Sequence, residues 1–124
     1  TGNLLFVSGQ IPMVDGKPGF IGHLGAEFDV EDGAAAARIC ALSVIAQAKV
    51  GLDGDLDRIT RVVKLTGFVA ATPDFKAHPT VVNGASDLMA KVFGAVGAHA
   101  RAAVGMSSLP AGVAVEVEAI FEVA

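Results

Sequence analysis

From Val113 to Val123 the chain reads VAVEVEAIFEV, a strict alternation that leaves little choice but a β-strand with two unlike faces. Val113, Val115, Val117, Ala119, Phe121 and Val123 share one side, and Ala114, Glu116, Glu118, Ile120 and Glu122 share the other. If the valine side meets the core, the glutamate side must meet water, a cavity or another subunit.

The rest of the chain supplies elements to complete such a sheet. LLFV at Leu4–Val7 is a short apolar run closed by SGQIP, where Gly9 and Pro12 signal a strand that ends in a turn. A glycine-rich loop follows from Asp15 to Gly25, with Phe20–Ile21 as a short strand. Acidic residues in EFDVEDG suit the positive end of a helix dipole. From about Glu31 to Val50 the residues Ala35, Ile39, Leu42, Ala46 and Val50 recur at helical spacing, and Gly51 ends that helix. TRVVKLTGFVAA, Thr60 to Ala71, is β-branched and aromatic enough for a buried strand. Pro79 fits the first turn of a second helix running to about Val96, with Val82, Ala85, Leu88, Met89, Val92 and Phe93 on its apolar face. Arg101–Met106 and Gly112–Val123 read as the last strands. Helices packed on one face of a mixed sheet, an α+β fold, accommodate that order.

The strands are apolar on both sides. VVKLTGFVA offers only Lys64 and Thr66 as polar residues on one side, and LLFV offers none. A sheet of this kind has its second face covered by protein, most simply by copies of the same chain. Arg101, alone in a run of Ala and Val, then needs an anionic or well-bonded polar partner, because stranding one member of a buried ion pair costs about 3–5 kcal/mol. Glu116 or Glu118 would serve as a salt-bridge partner. So would a substrate carboxylate, which matches the guanidinium through two parallel hydrogen bonds.

Composition narrows the function classes. Hydrophobic residues are 52% of the 124 and charged ones 18%, below the roughly 25% of an ordinary soluble domain. Arg38, Lys49 and Lys64 interrupt the most apolar regions, which argues against a membrane span, and no export signal opens the chain. The lone Cys40, among Ala and Ile, fits a reduced cytoplasmic thiol filling the core. With net charge −4, scattered basic residues, no Trp and no Tyr, the chain lacks the basic stripe and stacking residues of a nucleic-acid binder. No cluster of Cys and His has metal-ligand spacing. His23 and His78 read as surface residues, and His99 as lining near Arg101.

LLFVSGQIP, GDLDRITRVVKLTGFV and HARAAVG…LP…VEVEAI, in this order, resemble the RidA (YjgF, L-PSP) family over essentially the whole chain, as a subgroup distinct from its best-studied deaminases. The resemblance implies a single domain over residues 1–124 with a chorismate-mutase-like fold, and a homotrimer with clefts between subunits. It further implies cytoplasmic hydrolysis of reactive 2-imino and 2-enamino acids, such as those from 2-aminoacrylate, to 2-keto acids and ammonium. Neither cofactor nor metal is implied, and the role is metabolite damage control. By the same resemblance Arg101 holds the substrate carboxylate and Glu116 orients or activates water. Ser8 and Asn83 line the cleft, Gly9 lets the backbone approach ligand, and backbone groups of Ala103 face the substrate nitrogen.

The chain departs from the family pattern in places. Ala103 stands where the family often has Cys, Gly105 where it has an acid, and one extra residue lies between Asn83 and Arg101. The family's aromatic residue upstream of the first strand would belong to a leader before Thr1. Two other functions compete with the deaminase: a non-catalytic binder of small carboxylates, and the endoribonuclease or translation-inhibitor role attached to relatives.

Overall fold

In a computed structural model, which describes residues 1–124, the chain forms β1 (Leu4–Gln10), β2 (Met13–Val14), β3 (Lys17–Pro18), α1 (Val30–Gly51), β4 (Ile59–Ala70), α2 (His78–Phe93), β5 (Ala100–Met106) and β6 (Val115–Val123). The main sheet has the order β1-β6-β4-β5. β4 and β5 run parallel, joined by the α2 crossover, and the other pairs are antiparallel. Both helices cover one face of this sheet, α1 over β1 and β6 and α2 over β4 and β5, which is the expected α+β arrangement.

The valine side of β6, which starts at Val115 rather than at Gly112, is the core side: Val115, Val117 and Phe121 are fully buried, as is Val113 before the strand, with Phe93 of α2 tilted against Phe121 at 5.9 Å between ring centres. The Asp15–Gly25 segment is not all loop. Asp15 and Gly16, both at positive φ, form the turn of the β2–β3 hairpin, for which an Asp-Gly pair is the usual signal. Ile21 does not form a strand of its own but bridges to Val113.

Helix α1 begins at a reciprocal cap. The Asp29 carboxylate accepts from the Asp32 backbone at 2.9 Å, and the Asp32 carboxylate accepts from the Asp29 backbone at 3.2 Å. Its buried face differs from the expected one. Ala36, Ala37, Cys40, Ala41, Val44 and Ala48 are buried, whereas Leu42 is 50% and Val50 73% exposed. Small residues prevail because the helices approach closely: a Cβ added to Gly84 of α2 would lie 2.8 Å from the Ala34 carbonyl carbon of α1. By length and composition α1 is apolar enough to cross a membrane despite Arg38 and Lys49, but its alanine stripe is packed into the core. α2 stops at Phe93, short of Val96, where Gly94 takes positive φ and a 3-10 turn follows. Val92 is 47% exposed rather than part of the apolar face.

Candidate functional site

Pairing register assigns every strand residue a face. Glu116, Glu118 and Ile120 of β6 stand beside Phe68, Thr66 and Lys64 of β4, which stand beside Val104, Ala102 and Ala100 of β5. This is the outer face, away from the helices, and it exposes Phe6 at 59% and Val104 at 39%. The intervening β5 residues, Arg101, Ala103 and Gly105, face the helix side.

Ser8, Gly9 and Glu116 come together on the outer face. β1 and β6 slip register between Val7 and Gln10, so Ser8 and Gly9 form a bulge beside the β6 acids. The absent Gly9 side chain makes room for the acid: a Cβ there would overlap the Glu116 carboxylate and lie 2.8 Å from its carboxyl carbon.

Arg101, Asn83 and Ala103 gather on the other face, at the sheet's edge. Arg101 Nη1 donates to Asn83 Oδ1 at 2.7 Å and to Ser86 Oγ at 3.2 Å. Its Nε and Nη2 make no hydrogen bond within the chain, and no carboxylate of the chain pairs with it. The intramolecular bridge from Arg101 to Glu116 or Glu118 therefore does not form. Glu116 lies two strands from β5 and on the opposite face, so one chain cannot close both groups around one ligand. Glu122 instead pairs with Arg61 at 3.3 Å.

Ser86 went unnoticed in the sequence. Asn83 and Ser86 lie three apart on α2, polar beside the apolar Val82, Ala85 and Met89, and that spacing was the available signal. His99 does lie near Arg101, joined to it through Ser86 at 2.9 Å. His23 is bound to the Ser107 carbonyl at 2.7 Å, and His78 packs edge-on against Phe75.

A family profile described as "YjgF/chorismate_mutase-like, putative endoribonuclease" matches residues 1–121. The chain belongs to the YjgF family. Among its relatives, protein TCP17 of Trypanosoma cruzi is 53% identical over 123 residues, 98% of this chain and 76% of that one. The structure of Atu1372 from Agrobacterium tumefaciens, a protein of unknown function, superposes with a TM-score of 0.98 at 52% identity, over 100% of this chain and 78% of that one. TdcF of E. coli, solved with bound serine, superposes at 0.63 with 25% identity, over 99% and 83% of the two chains.

In this YjgF-family chain burial pushes the Glu116 carboxyl above its usual range, and the charge of Glu118 adds to that. Burial, with a smaller contribution from Glu116, pushes the Cys40 thiol up to about 12. At that value Cys40 is a core residue rather than a nucleophile. No group of acidic, His and Cys side chains is arranged to hold a metal ion.

Proposed function

We propose that this chain hydrolyses reactive 2-imino and 2-enamino acids to 2-keto acids and ammonium, in a cleft between two copies. One copy supplies Arg101, Asn83 and Ala103, and the other supplies Ser8, Gly9 and Glu116. The observation that carries this reading is the half-used guanidinium: Nη1 is anchored on Asn83 and Ser86 while the Nε–Nη2 edge stays free. That edge has the spacing of a carboxylate, and the serine bound in TdcF carries one.

An imine carbon is already electrophilic, so catalysis reduces to orientation and proton management. Arg101 holds the substrate carboxylate. Glu116 takes a proton from water, the oxygen adds to the imine carbon, and the proton passes to nitrogen. Glu116 then takes the hydroxyl proton and passes it to the amine, the C–N bond breaks as the carbonyl forms, and ammonia leaves to become ammonium by taking a proton from water. An enamine follows the same route after tautomerising to the imine. The endoribonuclease wording of the family profile suits this surface poorly, because Glu116 and Glu118 share the outer face without a cationic partner in the chain and would repel a phosphate backbone.

A pyridoxal-phosphate enzyme that releases imine, mixed with the purified chain, tests the proposal through the imine's absorbance decay. Faster decay with wild type but not with Glu116→Gln supports it. Unchanged decay together with calorimetric binding of 2-oxobutanoate would leave a non-catalytic carboxylate binder.

Two further outcomes follow from the Glu116 environment. As a base, Glu116 works only when ionised, so its raised pKa places the acid limb of turnover above the ordinary glutamate value of about 4.3. Glu118→Gln removes one of the two causes and moves that limb to lower pH; a limb that stays put would show that the two carboxylates do not share a field. Stability has the corresponding sign: the contribution from protonated Glu116 is lost as pH rises through its folded pKa.

Gly9→Ala forces the Glu116 carboxylate aside. The obstacle is the end of a flexible side chain, so the melting temperature changes little. Turnover drops on the order of tenfold, since an ångström's misplacement costs up to about 100-fold. Wild-type turnover in that variant would remove Glu116 from the mechanism.

A further inference from the structure

The structure points to Ser86 and His99 as positioning residues that hold the Arg101 guanidinium with its free edge outward, an inference that rests on the carboxylate-clamp reading above. Arg101 is exposed on an edge strand, where a long side chain would otherwise sample many rotamers. Both hydrogens on Nη1 are instead taken, one by Asn83 and one by Ser86, so one end of the fork is fixed and the Nε–Nη2 edge has a defined direction.

Donor and acceptor chemistry gives this network a single sense. Arg101 can only donate, so Ser86 Oγ accepts from it, and the Ser86 hydroxyl hydrogen must go elsewhere. The neighbour available is His99 Nε2 at 2.9 Å. At the other side of that ring, Nδ1 lies 2.6 Å from the Gly97 carbonyl, which can only accept. Nδ1 therefore carries the hydrogen and Nε2 the lone pair in the neutral ring. The order is Arg101 to Ser86 to His99 to Gly97, each donating to the next. The 3-10 turn Gly94–Gly97 after α2 turns the backbone so that the ring reaches the carbonyl two residues before it. An unbroken chain of this kind orders a side chain better than one contact does.

Calorimetric binding of 2-oxobutanoate, melting temperature and steady-state kinetics on the full chain test the assignment with Ser86→Ala, His99→Phe, their double variant and Arg101→Ala. Ser86→Ala and His99→Phe should each weaken 2-oxobutanoate binding about fivefold, within the range for losing one hydrogen bond. KM should rise with kcat retained, because the bond acts equally before and during reaction. The double variant should be no worse than either single one, since one network is broken once. Ser86→Thr and His99→Gln, which keep a hydroxyl and an acceptor, should restore binding. Wild-type affinity in Ser86→Ala and His99→Phe, while Arg101→Ala loses binding, overturns the positioning role and leaves the clamp intact. Additive losses that track a falling melting temperature overturn it as well. Undiminished binding by Arg101→Ala removes the clamp and the positioning role together.

Discussion

Arg101→Ala should lower affinity for 2-oxobutanoate about 100-fold, the equivalent of two charge-assisted hydrogen bonds at about 1.5 kcal/mol each. kcat/KM for imine hydrolysis should fall by at least as much, because a carboxylate that is not held leaves the imine carbon unaligned with its water. The protein should remain folded, since Arg101 is exposed and bonds only to Asn83 and Ser86. Arg101→Lys separates charge from geometry: it keeps the cation but loses the fork, and should recover only part of the binding. A titration in which the alanine variant binds like wild type would remove the carboxylate clamp, and with it the proposed substrate class.

Gly84→Leu should produce the largest loss of stability. Exchanging a helix-interior glycine for a good helix former ordinarily gains about 1 kcal/mol. Here even the first added carbon meets the Ala34 carbonyl of α1, with the Ala34 carbonyl carbon at 2.8 Å and its Cα at 3.0 Å. These are backbone atoms, so no rotamer change relieves the contact and the two helices must separate. Overpacking costs of about 1–3 kcal/mol set the scale, and a leucine against backbone belongs at the top of it. Melting should fall by roughly 10 °C, at about 4 °C per kcal/mol for a chain between the size classes surveyed. Gly84→Ala should lower stability less, but still lower it. An increase in melting temperature for the alanine variant would mean that the interhelical contact is looser than described.

Some of this architecture was legible in local spacing and some was not. The β6 alternation could be read because Val115, Val117 and Phe121 share a face that is buried throughout. α1 was legible as a helix but not in its orientation. Apolar residues occur on most of its sides, so the stripe through Leu42 and Val50 fitted the period as well as the true one through Ala37, Ala41 and Ala48. At about 100° per residue the two stripes lie on nearly opposite sides of the helix, roughly 170° apart. What selects between them is the close approach of α1 and α2 at Gly84, a contact between elements far apart in sequence.

For the site, the sequence by itself determined the chemical inventory: one arginine among small residues, three glutamates on one side of a strand, and an asparagine on a helix. These follow from residue identity and from periods of two and 3.6, which span only a few neighbours. Only the tertiary structure decided that β4 separates the strand of Arg101 from that of Glu116, that the two side chains leave opposite faces, and that Ser86 and His99 stand behind the guanidinium. Strand order and helix seating depend on pairings across the chain's length, and no local period carries that information.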